Sequence, residues 1–138
     1  MSKRTSIVAP CRVLIVEDDW LISEVLAAQV SELNLEVAGV AGTVAEALDF
    51  LATEDIDAVL LDMKLHERFA GEVAAELQRQ GVPFLFVTGY AKAPDPRYDD
   101  VPILRKPFDV SELQAALAAI LPPPCLPEPD TVAAGDVA

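Results

Sequence analysis

Residues 13–19 read VLIVEDD, in which four aliphatic residues are followed at once by three carboxylates. An unbroken aliphatic run rich in β-branched residues is typical of a strand buried on both faces of a parallel sheet. In open sheets of this kind ligands bind beyond the carboxyl ends of the strands, which is where Glu17, Asp18 and Asp19 stand. Asp19 is also the best candidate to cap the helix that follows. The stretch predicts an α/β fold with polar residues gathered where its strands end.

Strand and helix patterns alternate along the chain from Arg12 to about Leu121. Aliphatic runs predict five strands, and apolar residues at helical spacing predict four helices. The expected strands are residues 13–16, 36–40, 58–61, 82–87 and 102–104, and the expected helices are 19–33, a segment capped by Thr43, 71–80 and a segment capped by Asp109 or Ser111. Between the last two strands, Pro94 and Pro96 oppose a regular helix and predict a loop or a short turn.

These βα units predict a doubly wound, five-stranded parallel sheet that has helices on both faces. The fourth helix is expected to be short or absent because of the two prolines. We place an N-terminal tail at residues 1–10, one domain at 11–121 and a disordered, Pro-rich tail at 122–138.

The composition restricts the partners and the location that we expect. The 138 residues carry a formal net charge of −13, which argues against nucleic acid and anionic membrane surfaces as partners. The two cysteines, Cys11 and Cys125, form no metal-binding pattern, and we expect neither a zinc site nor a disulfide framework. No signal peptide or transmembrane run is recognisable, so a reducing cytoplasm is the expected location.

Polar residues stand at the ends of four of the expected strands. Glu17 and Asp18 end the first, Asp62 ends the third, Thr88 ends the fourth, and Lys106 follows the fifth. Gathering three carboxylates without a counter-ion is costly, because like charges repel and each loses solvation. Mg²⁺ offsets that cost and prefers a few carboxylates together with water. The sequence therefore predicts a Mg²⁺ site at this edge of the sheet.

The same residues suit phosphoryl transfer. A carboxylate such as Asp62 can act as the nucleophile and form an acyl phosphate. A metal ion and the amine of Lys106 then neutralise phosphoryl oxygens, while the hydroxyl of Thr88 donates a hydrogen bond to another. Each residue also has a purely structural interpretation. Asp62 could be a solvated residue at the end of a strand, and Lys106 could be an ordinary surface residue.

Four motifs, in the order LIVEDD, DAVLLDMKL, FVTGY and LRKPF, carry a resemblance to a known family. Over roughly residues 12–121 the chain resembles the receiver domains of bacterial two-component response regulators, which have a (βα)5 flavodoxin-like fold. The resemblance implies that Asp62 is the phosphoacceptor, Thr88 the switch hydroxyl and Lys106 the family's lysine. It also implies a Mg²⁺ site formed by Glu17, Asp18, Asp62 and the backbone carbonyl of Lys64.

Residues 83–90, PFLFVTGY, further resemble the FAT GUY subgroup of single-domain receivers, with Val87 in place of the motif's alanine. The resemblance implies a stand-alone receiver that is phosphorylated by a histidine kinase of the HWE or a related class, as in the general stress response. The signal then passes to a histidine phosphotransfer protein, drains into a phosphate sink or reaches a downstream regulator. Such a protein promotes its own phosphorylation and dephosphorylation but is not an enzyme acting on a separate substrate.

The chain departs from the wider family at several positions. His66 stands where many members have proline, four residues beyond the phosphoacceptor, and Ile103 replaces the usual aromatic switch residue. Tyr90 is the obvious substitute for that aromatic side chain. Gly89 is expected to leave room for the phosphoryl group, since a side chain there would crowd the entrance. The side chain of Lys64 is either solvated or close to the acidic cluster, and both interpretations stay open.

Two other functions fit parts of the pattern. A receiver-like docking module would bind a partner without being phosphorylated, although the intact set of Asp62, Thr88 and Lys106 argues against it. An aspartyl-phosphate hydrolase of the haloacid dehalogenase type carries the pattern DxDxT, whereas residues 62–66 read DMKLH. The missing second aspartate disfavours the hydrolase.

Overall fold

The computed structural model describes residues 10–122 and 125–126, and its elements follow the expected βα order. The strands are β1 (Arg12–Val16), β2 (Glu36–Ala41), β3 (Ala58–Asp62), β4 (Lys64–Leu65), β5 (Arg68–Phe69), β6 (Phe84–Thr88) and β7 (Ile103–Arg105). The helices are α1 (Trp20–Glu32), α2 (Val44–Thr53), α3 (Gly71–Gln80) and α4 (Val110–Ile120). Five strands form a parallel sheet in the order β2-β1-β3-β6-β7, while β4 and β5 pair as a small antiparallel hairpin. The five-stranded, flavodoxin-like sheet is confirmed.

The sheet separates two apolar layers, because successive side chains of a strand point to opposite faces. Leu14 and Val16 of β1 pack in one layer with residues of α2 and α3. Val13 and Ile15 pack in the other layer with residues of α1 and α4. All five residues of β3 and of β6 are buried, as expected for central strands covered on both faces. The doubly wound arrangement is therefore confirmed as well.

Helix ends follow the polar residues that the sequence offers. The carboxylate of Asp19 accepts hydrogen bonds from the backbone N–H groups of the first turn of α1, as expected of a cap. Thr43 caps α2 by accepting from the N–H of Glu46, and Asp109 forms a reciprocal capping box at α4. Gly81 ends α3 in the left-handed conformation, with φ of 71°.

The connection between β6 and β7 holds one short 3₁₀ turn, Pro96–Tyr98, in place of a helix. This confirms the expectation drawn from Pro94 and Pro96. Tyr98 at the end of the turn is only 2% exposed, and its ring meets that of Phe86 edge-on at 6.2 Å. Tyr98, together with Ala93 and Val101 of the same connection, thus packs in the apolar layer where no regular helix is present.

The cysteines and the start of the C-terminal tail differ from the sequence-based expectation. Cys11 and Cys125 form a disulfide, with their Cα atoms 5.5 Å apart, where we expected no disulfide framework. Leu126 is 6% exposed and belongs to the apolar layer of α1 and α4, although residues 122–138 were expected to be disordered. The physical reason is that burying the Leu126 side chain in this layer removes apolar surface from water, which the polar and Pro-rich composition around it does not indicate.

The expectations for residues 1–9, 123–124 and 127–138 lie outside the described residues. Among the helices in the described part of the chain, none is both long enough and apolar enough to cross a membrane.

Candidate functional site

Three carboxylates meet at the carboxyl edge of the sheet, as the strand-end pattern predicted. Residues Val16 and Leu61 are paired in the register of β1 and β3, which brings Glu17 and Asp18 beside Asp62. One carboxylate oxygen from each acid lies within 4.8 Å of the others. Glu17 is 3% exposed and Asp62 is 9% exposed, whereas Asp18 faces solvent. Two of the three charges are therefore largely withdrawn from water.

The electrostatics of this cluster favour a cation. Burial raises the pKa of Asp62 to about 7, and the hydrogen bond and negative charge of Glu17 act in the same direction. The backbone N–H of Lys64, 3.2 Å from Asp62 Oδ1, and the charge of Lys106 act against that rise in pKa. A divalent cation beside these oxygens would replace the proton that Asp62 otherwise retains. The donor set of three carboxylates therefore fits Mg²⁺.

Asp18 is held by the hairpin turn that follows Asp62. Burial works to raise its pKa, but hydrogen bonding, first from the backbone N–H of His66, leaves the pKa below its ordinary value. The His66 nitrogen lies 2.9 Å from Asp18 Oδ2. Asp18 is thus fixed as a carboxylate at the exposed side of the cluster.

Lys106 directly follows strand β7, and its side chain extends toward the acidic cluster. Its Nζ lies 3.4 Å from Oε1 of Glu17 rather than beside Asp62. Its backbone N–H donates to the carbonyl of Thr88 at 2.8 Å, which continues the pairing of β6 with β7. The second oxygen of Glu17 accepts a hydrogen bond from the Asp19 N–H at 3.1 Å. The buried Glu17 carboxylate therefore contacts both Lys106 and the loop that follows β1.

Thr88 ends β6 one residue beyond Val87, which is paired with Asp62. The hydroxyl belongs to a buried residue and accepts the backbone N–H of Tyr90 at 3.2 Å, so its own proton remains to be donated. A Cβ added at Gly89 would meet no atom within 4 Å. No protein atom therefore demands glycine at position 89, and the expectation that Gly89 leaves room for a phosphoryl group stays a prediction.

Tyr90 and Lys64 contact each other at the surface beside Asp62. Tyr90 is 52% exposed, and its hydroxyl accepts a hydrogen bond from Lys64 Nζ at 3.1 Å. The ammonium group also lies 4.7 Å from the centre of the tyrosine ring. The Lys64 side chain is thus directed to Tyr90, an outcome that neither of its two interpretations contained. Together with Met63, Lys92, Ala93 and Pro94, the pair lines an open cleft of about 390 Å³.

Ile103 lies on β7, opposite Phe86, and is half-buried against the layer that contains Tyr98. This position therefore carries an aliphatic side chain fixed in the sheet, whereas the aromatic side chain of Tyr90 is exposed. The assignment of Tyr90 and Ile103 to signal output stays a prediction.

His66, noted in the sequence for its place four residues beyond Asp62, makes contacts that the sequence did not predict. It occupies a left-handed conformation with φ of 51°, as does the next residue, Glu67, with φ of 69°. Its ring Nε2 lies 3.2 Å from the carbonyl oxygen of Gly42, so one residue joins the hairpin turn to two loops of the sheet edge. A single histidine forms no repeating pattern from which its contacts could be predicted. The only indication in the sequence was its position four residues after Asp62.

An apolar surface lies next to the acidic cluster. Trp20, Leu21 and Val25 of α1 are large hydrophobic residues that are exposed. A groove of about 300 Å³ separates α1 from the segment after β7, and it is lined by Leu21, Ile22, Val25, Lys106, Pro107 and Phe108. Neighbouring exposed apolar residues of this kind are typical of a protein-binding surface.

The sequence and the site agree with known proteins. The family model of the response regulator receiver domain matches residues 13–118. The transcriptional regulatory protein TcrA of Mycobacterium tuberculosis is 35% identical over 141 residues, covering 94% of this chain and 53% of TcrA. The chain spans about half the length of the curated relatives it matches.

Solved structures extend the likeness. The solution structure of SdrG from Sphingomonas melonis Fr1 is 35% identical with a TM-score of 0.73, covering 84% of this chain and 98% of SdrG. The BeF3-activated conformation of SdrG from Pseudomonas melonis Fr1 is 37% identical with a TM-score of 0.72, covering 83% and 99%. The PhyR stress response regulator is 28% identical with a TM-score of 0.69, covering 81% of this chain and 45% of PhyR.

Proposed function

The chain belongs to the response regulator receiver family, and from that premise we propose that it accepts a phosphoryl group on Asp62. Receiver domains have histidine kinases as partners, so the donor is the phosphohistidine of such a kinase. The observation that carries this proposal is the buried Asp62 carboxylate, which shares one edge of the sheet with Glu17, Thr88 and Lys106.

In the proposed reaction, a carboxylate oxygen of Asp62 forms a bond to phosphorus while the bond from phosphorus to the imidazole nitrogen breaks. The imidazole takes up a proton as it leaves. The oxygen attacks as the anion, so the reaction requires the proton that burial favours on Asp62 to be lost. The product is an acyl phosphate on a side chain that is nearly enclosed.

The acids of the site would hold Mg²⁺. Asp18 and Asp62 are the proposed ligands, with Glu17 beside them and the backbone carbonyl of Lys64 completing the set. When bound, the ion supplies positive charge against the phosphoryl oxygens and the three carboxylates. Asp18 suits this task because the His66 N–H already holds it as an anion.

Two further side chains would hold the phosphoryl group. The Thr88 hydroxyl donates to one phosphoryl oxygen, because its oxygen accepts the Tyr90 N–H and its own proton remains available. Lys106 moves its ammonium group from Glu17 toward the new charge on Asp62. Because Thr88 contacts the backbone of Tyr90, its movement is passed to the loop after β6. Tyr90 and Gly89, together with Ile103 beneath them, are therefore the proposed output residues.

The wider role follows from the resemblance to the FAT GUY subgroup and to a named stress response regulator. We propose a stand-alone cytoplasmic receiver in a general stress response, phosphorylated by a kinase of the HWE or a related class. It passes the phosphoryl group to a histidine phosphotransfer protein, acts as a phosphate sink, or signals by binding a downstream regulator. It also promotes its own phosphorylation and dephosphorylation. Neither nucleic acid nor membrane is a proposed partner, given the net charge of −13.

The groove between α1 and the segment after β7 is the proposed docking place of the phosphohistidine donor. It lies next to Lys106, so a partner seated there has its histidine within reach of Asp62. Its apolar lining compensates for the unfavourable net charge of the surrounding surface. Val25→Asp is expected to slow phosphotransfer from the kinase while phosphorylation by acetyl phosphate, which needs no docking, is unchanged.

The test is phosphate incorporation from a purified kinase in Mg²⁺. Wild-type protein is expected to take up one phosphoryl group, whereas Asp62→Asn and wild type in EDTA take up none. Asp49→Asn, an exposed carboxylate on α2, is the matched control. Incorporation by Asp62→Asn would overturn the assignment.

A second test separates this function from a docking module that is never phosphorylated. Beryllofluoride with Mg²⁺ is expected to shift the NMR resonances of Thr88 and Tyr90, in line with the named BeF3-activated conformation of SdrG. Unchanged resonances together with partner binding would favour the docking module.

A further inference from the structure

The disulfide lies at the opposite edge of the sheet from the carboxylates. Cys11 comes immediately before β1, at the amino end of the strand whose carboxyl end carries Glu17 and Asp18. Cys125 is 114 residues away in sequence and follows α4. Joining them therefore links the first strand to the chain beyond the last helix, without involving the proposed phosphoryl site.

The two cysteines are held very differently by the rest of the protein. The carbonyl of Cys11 accepts the N–H of Glu36 at 2.9 Å, which extends the pairing of β1 with β2. The next residue, Arg12, donates its N–H to the carboxylate of Asp57 at 2.7 Å. Cys125 instead lies in a local turn, where its N–H donates to the carbonyl of Pro122 at 2.9 Å, its backbone hydrogen bond within the described part of the chain. Breaking the disulfide would therefore leave Cys11 in place and loosen Cys125.

The segment that Cys125 anchors covers part of the core. Leu126 is buried in the apolar layer that also contains Leu35, Leu117 and Leu121. Both cysteines are only half-buried, so small thiols and disulfides can reach them. Besides the disulfide, the described contacts of Cys125 and Leu126 are the turn at Pro122, the burial of Leu126 and the packing of Cys125 against the same layer.

We propose that Cys11 and Cys125 are a reversible redox site that ties the chain at Cys125 and Leu126 to the α1/α4 face when oxidised and releases these two residues when reduced. The inference rests on the proposed function in one respect, since a cytoplasmic receiver is in a reducing compartment where disulfides are transient or sensing. In that compartment the reduced, released form is the resting form. Oxidising conditions convert it to the tied form.

The chemistry is thiol–disulfide exchange with a low-molecular-weight disulfide of the glutathione class. One protein thiolate attacks that disulfide, forms a mixed disulfide and expels one small thiolate. The second protein thiolate attacks the mixed disulfide, forms the bond between the two protein sulfurs and expels the second small thiolate. Two electrons pass from the protein to the small disulfide, and the two protons lost by the cysteines are taken up by the thiolates released. Excess small thiol reverses both steps.

The first measurement is peptide mapping after alkylation of the full-length protein at defined ratios of oxidised to reduced glutathione. We expect two alkylated cysteines under reducing conditions and none under oxidising conditions, with a peptide that links Cys11 to Cys125. Two free thiols in excess oxidised glutathione, or separate glutathione adducts on the two cysteines, would overturn the proposal.

The second measurement is amide hydrogen exchange on the same samples. Reduction is expected to raise exchange at the Cys125 N–H by about tenfold or more, because its turn loses the covalent anchor. Cys125→Ser and the matched variant Cys11→Ser should show the fast rate at every glutathione ratio. If either variant exchanges as slowly as the oxidised wild type, Leu126 alone holds the segment and the proposed release does not occur.

Phosphate incorporation from acetyl phosphate, measured in both redox states, separates the two proposals. If Asp62 incorporates phosphate and amide hydrogen exchange at Cys125 is the same in both redox states, the redox site is refuted and the proposed function stands. A redox-dependent segment in a protein that never incorporates phosphate refutes the proposed function and leaves the thiol–disulfide site.

Discussion

Replacing Asp62 with asparagine should stabilise the metal-free protein. The pKa of Asp62 in the folded state is about 7, against an ordinary value of 3.8. Each pKa unit corresponds to about 1.4 kcal/mol, so three units set an upper limit of about 4 kcal/mol on the cost of ionising this group in the fold. Solvent at the open edge of the site screens part of that cost. We expect Asp62→Asn to raise the free energy of unfolding by about 1–3 kcal/mol at pH 8 in EDTA.

The sign of the pH dependence follows from linkage. Because the folded protein holds the Asp62 proton more tightly than the unfolded chain, the stabilisation from that proton is fully present below about pH 4. It is lost as pH rises through about 7. Asp62→Asn has no such proton, so its advantage over wild type should be near zero at pH 4 and greatest at pH 8. Urea unfolding followed by far-ultraviolet circular dichroism at pH 4, 6 and 8 measures the difference.

Two controls make the result specific to the acidic cluster. Asp49→Asn, exposed on α2, should leave the free energy of unfolding nearly unchanged at every pH. Saturating Mg²⁺ should reduce the advantage of Asp62→Asn, because a bound cation stabilises the wild-type carboxylates. An advantage that is absent, or that is the same at pH 4 and pH 8, would refute the reasoning that Glu17 and burial together raise the pKa of Asp62.

Three further substitutions test other contacts. Lys64→Met should increase the side-chain mobility of Tyr90 in NMR relaxation while the free energy of unfolding stays nearly unchanged, since the pair is exposed. An immobile ring would contradict the contact. Glu67→Gly should raise the free energy of unfolding, measured in urea, by about 0.5–1 kcal/mol, because the backbone φ of Glu67 is 69°. The control Glu72→Gly, in helix α3, should lower the free energy of unfolding. Equal effects of the two substitutions would exclude backbone strain at Glu67. Tyr98→Ala should lower the free energy of unfolding by about 3–5 kcal/mol, because the side chain is buried against Phe86. Tyr98→Phe, which keeps the ring, should lower it far less. A small effect of alanine would mean that the 3₁₀ turn does not protect the sheet.

The parts that sequence predicts well are those fixed by neighbouring residues. The alternation of aliphatic runs and helical stripes located the strands, and Asp19 and Gly81 ended up at the helix boundaries where capping chemistry places them. The two prolines excluded a helix before β7 for a local reason, the loss of an N–H and a clash with the preceding turn. The approach of Asp62 to Glu17 was predictable because parallel strands align their carboxyl ends.

The parts that sequence missed depend on contacts between distant residues or on the conformation of a turn. No local pattern relates Cys11 to Cys125, which are 114 residues apart, and Pro-rich composition hid the buried Leu126. The contact of His66 with Asp18 requires a left-handed turn that sequence alone does not specify for these residue types.

The two proposed sites lie at opposite ends of one rigid strand, and this limits how either can act. Strand β1 is paired on both sides and buried from Val13 to Val16, so a change at Cys11 has no mobile path to Asp18. The segments free of the main sheet near Asp62 are the β4–β5 hairpin and the loop that begins at Gly89. Phosphorylation should therefore alter those two segments, whereas oxidation should alter only the chain after α4. Each signal would then present a different surface to a partner, and the doubly modified protein should show the sum of the two separate changes.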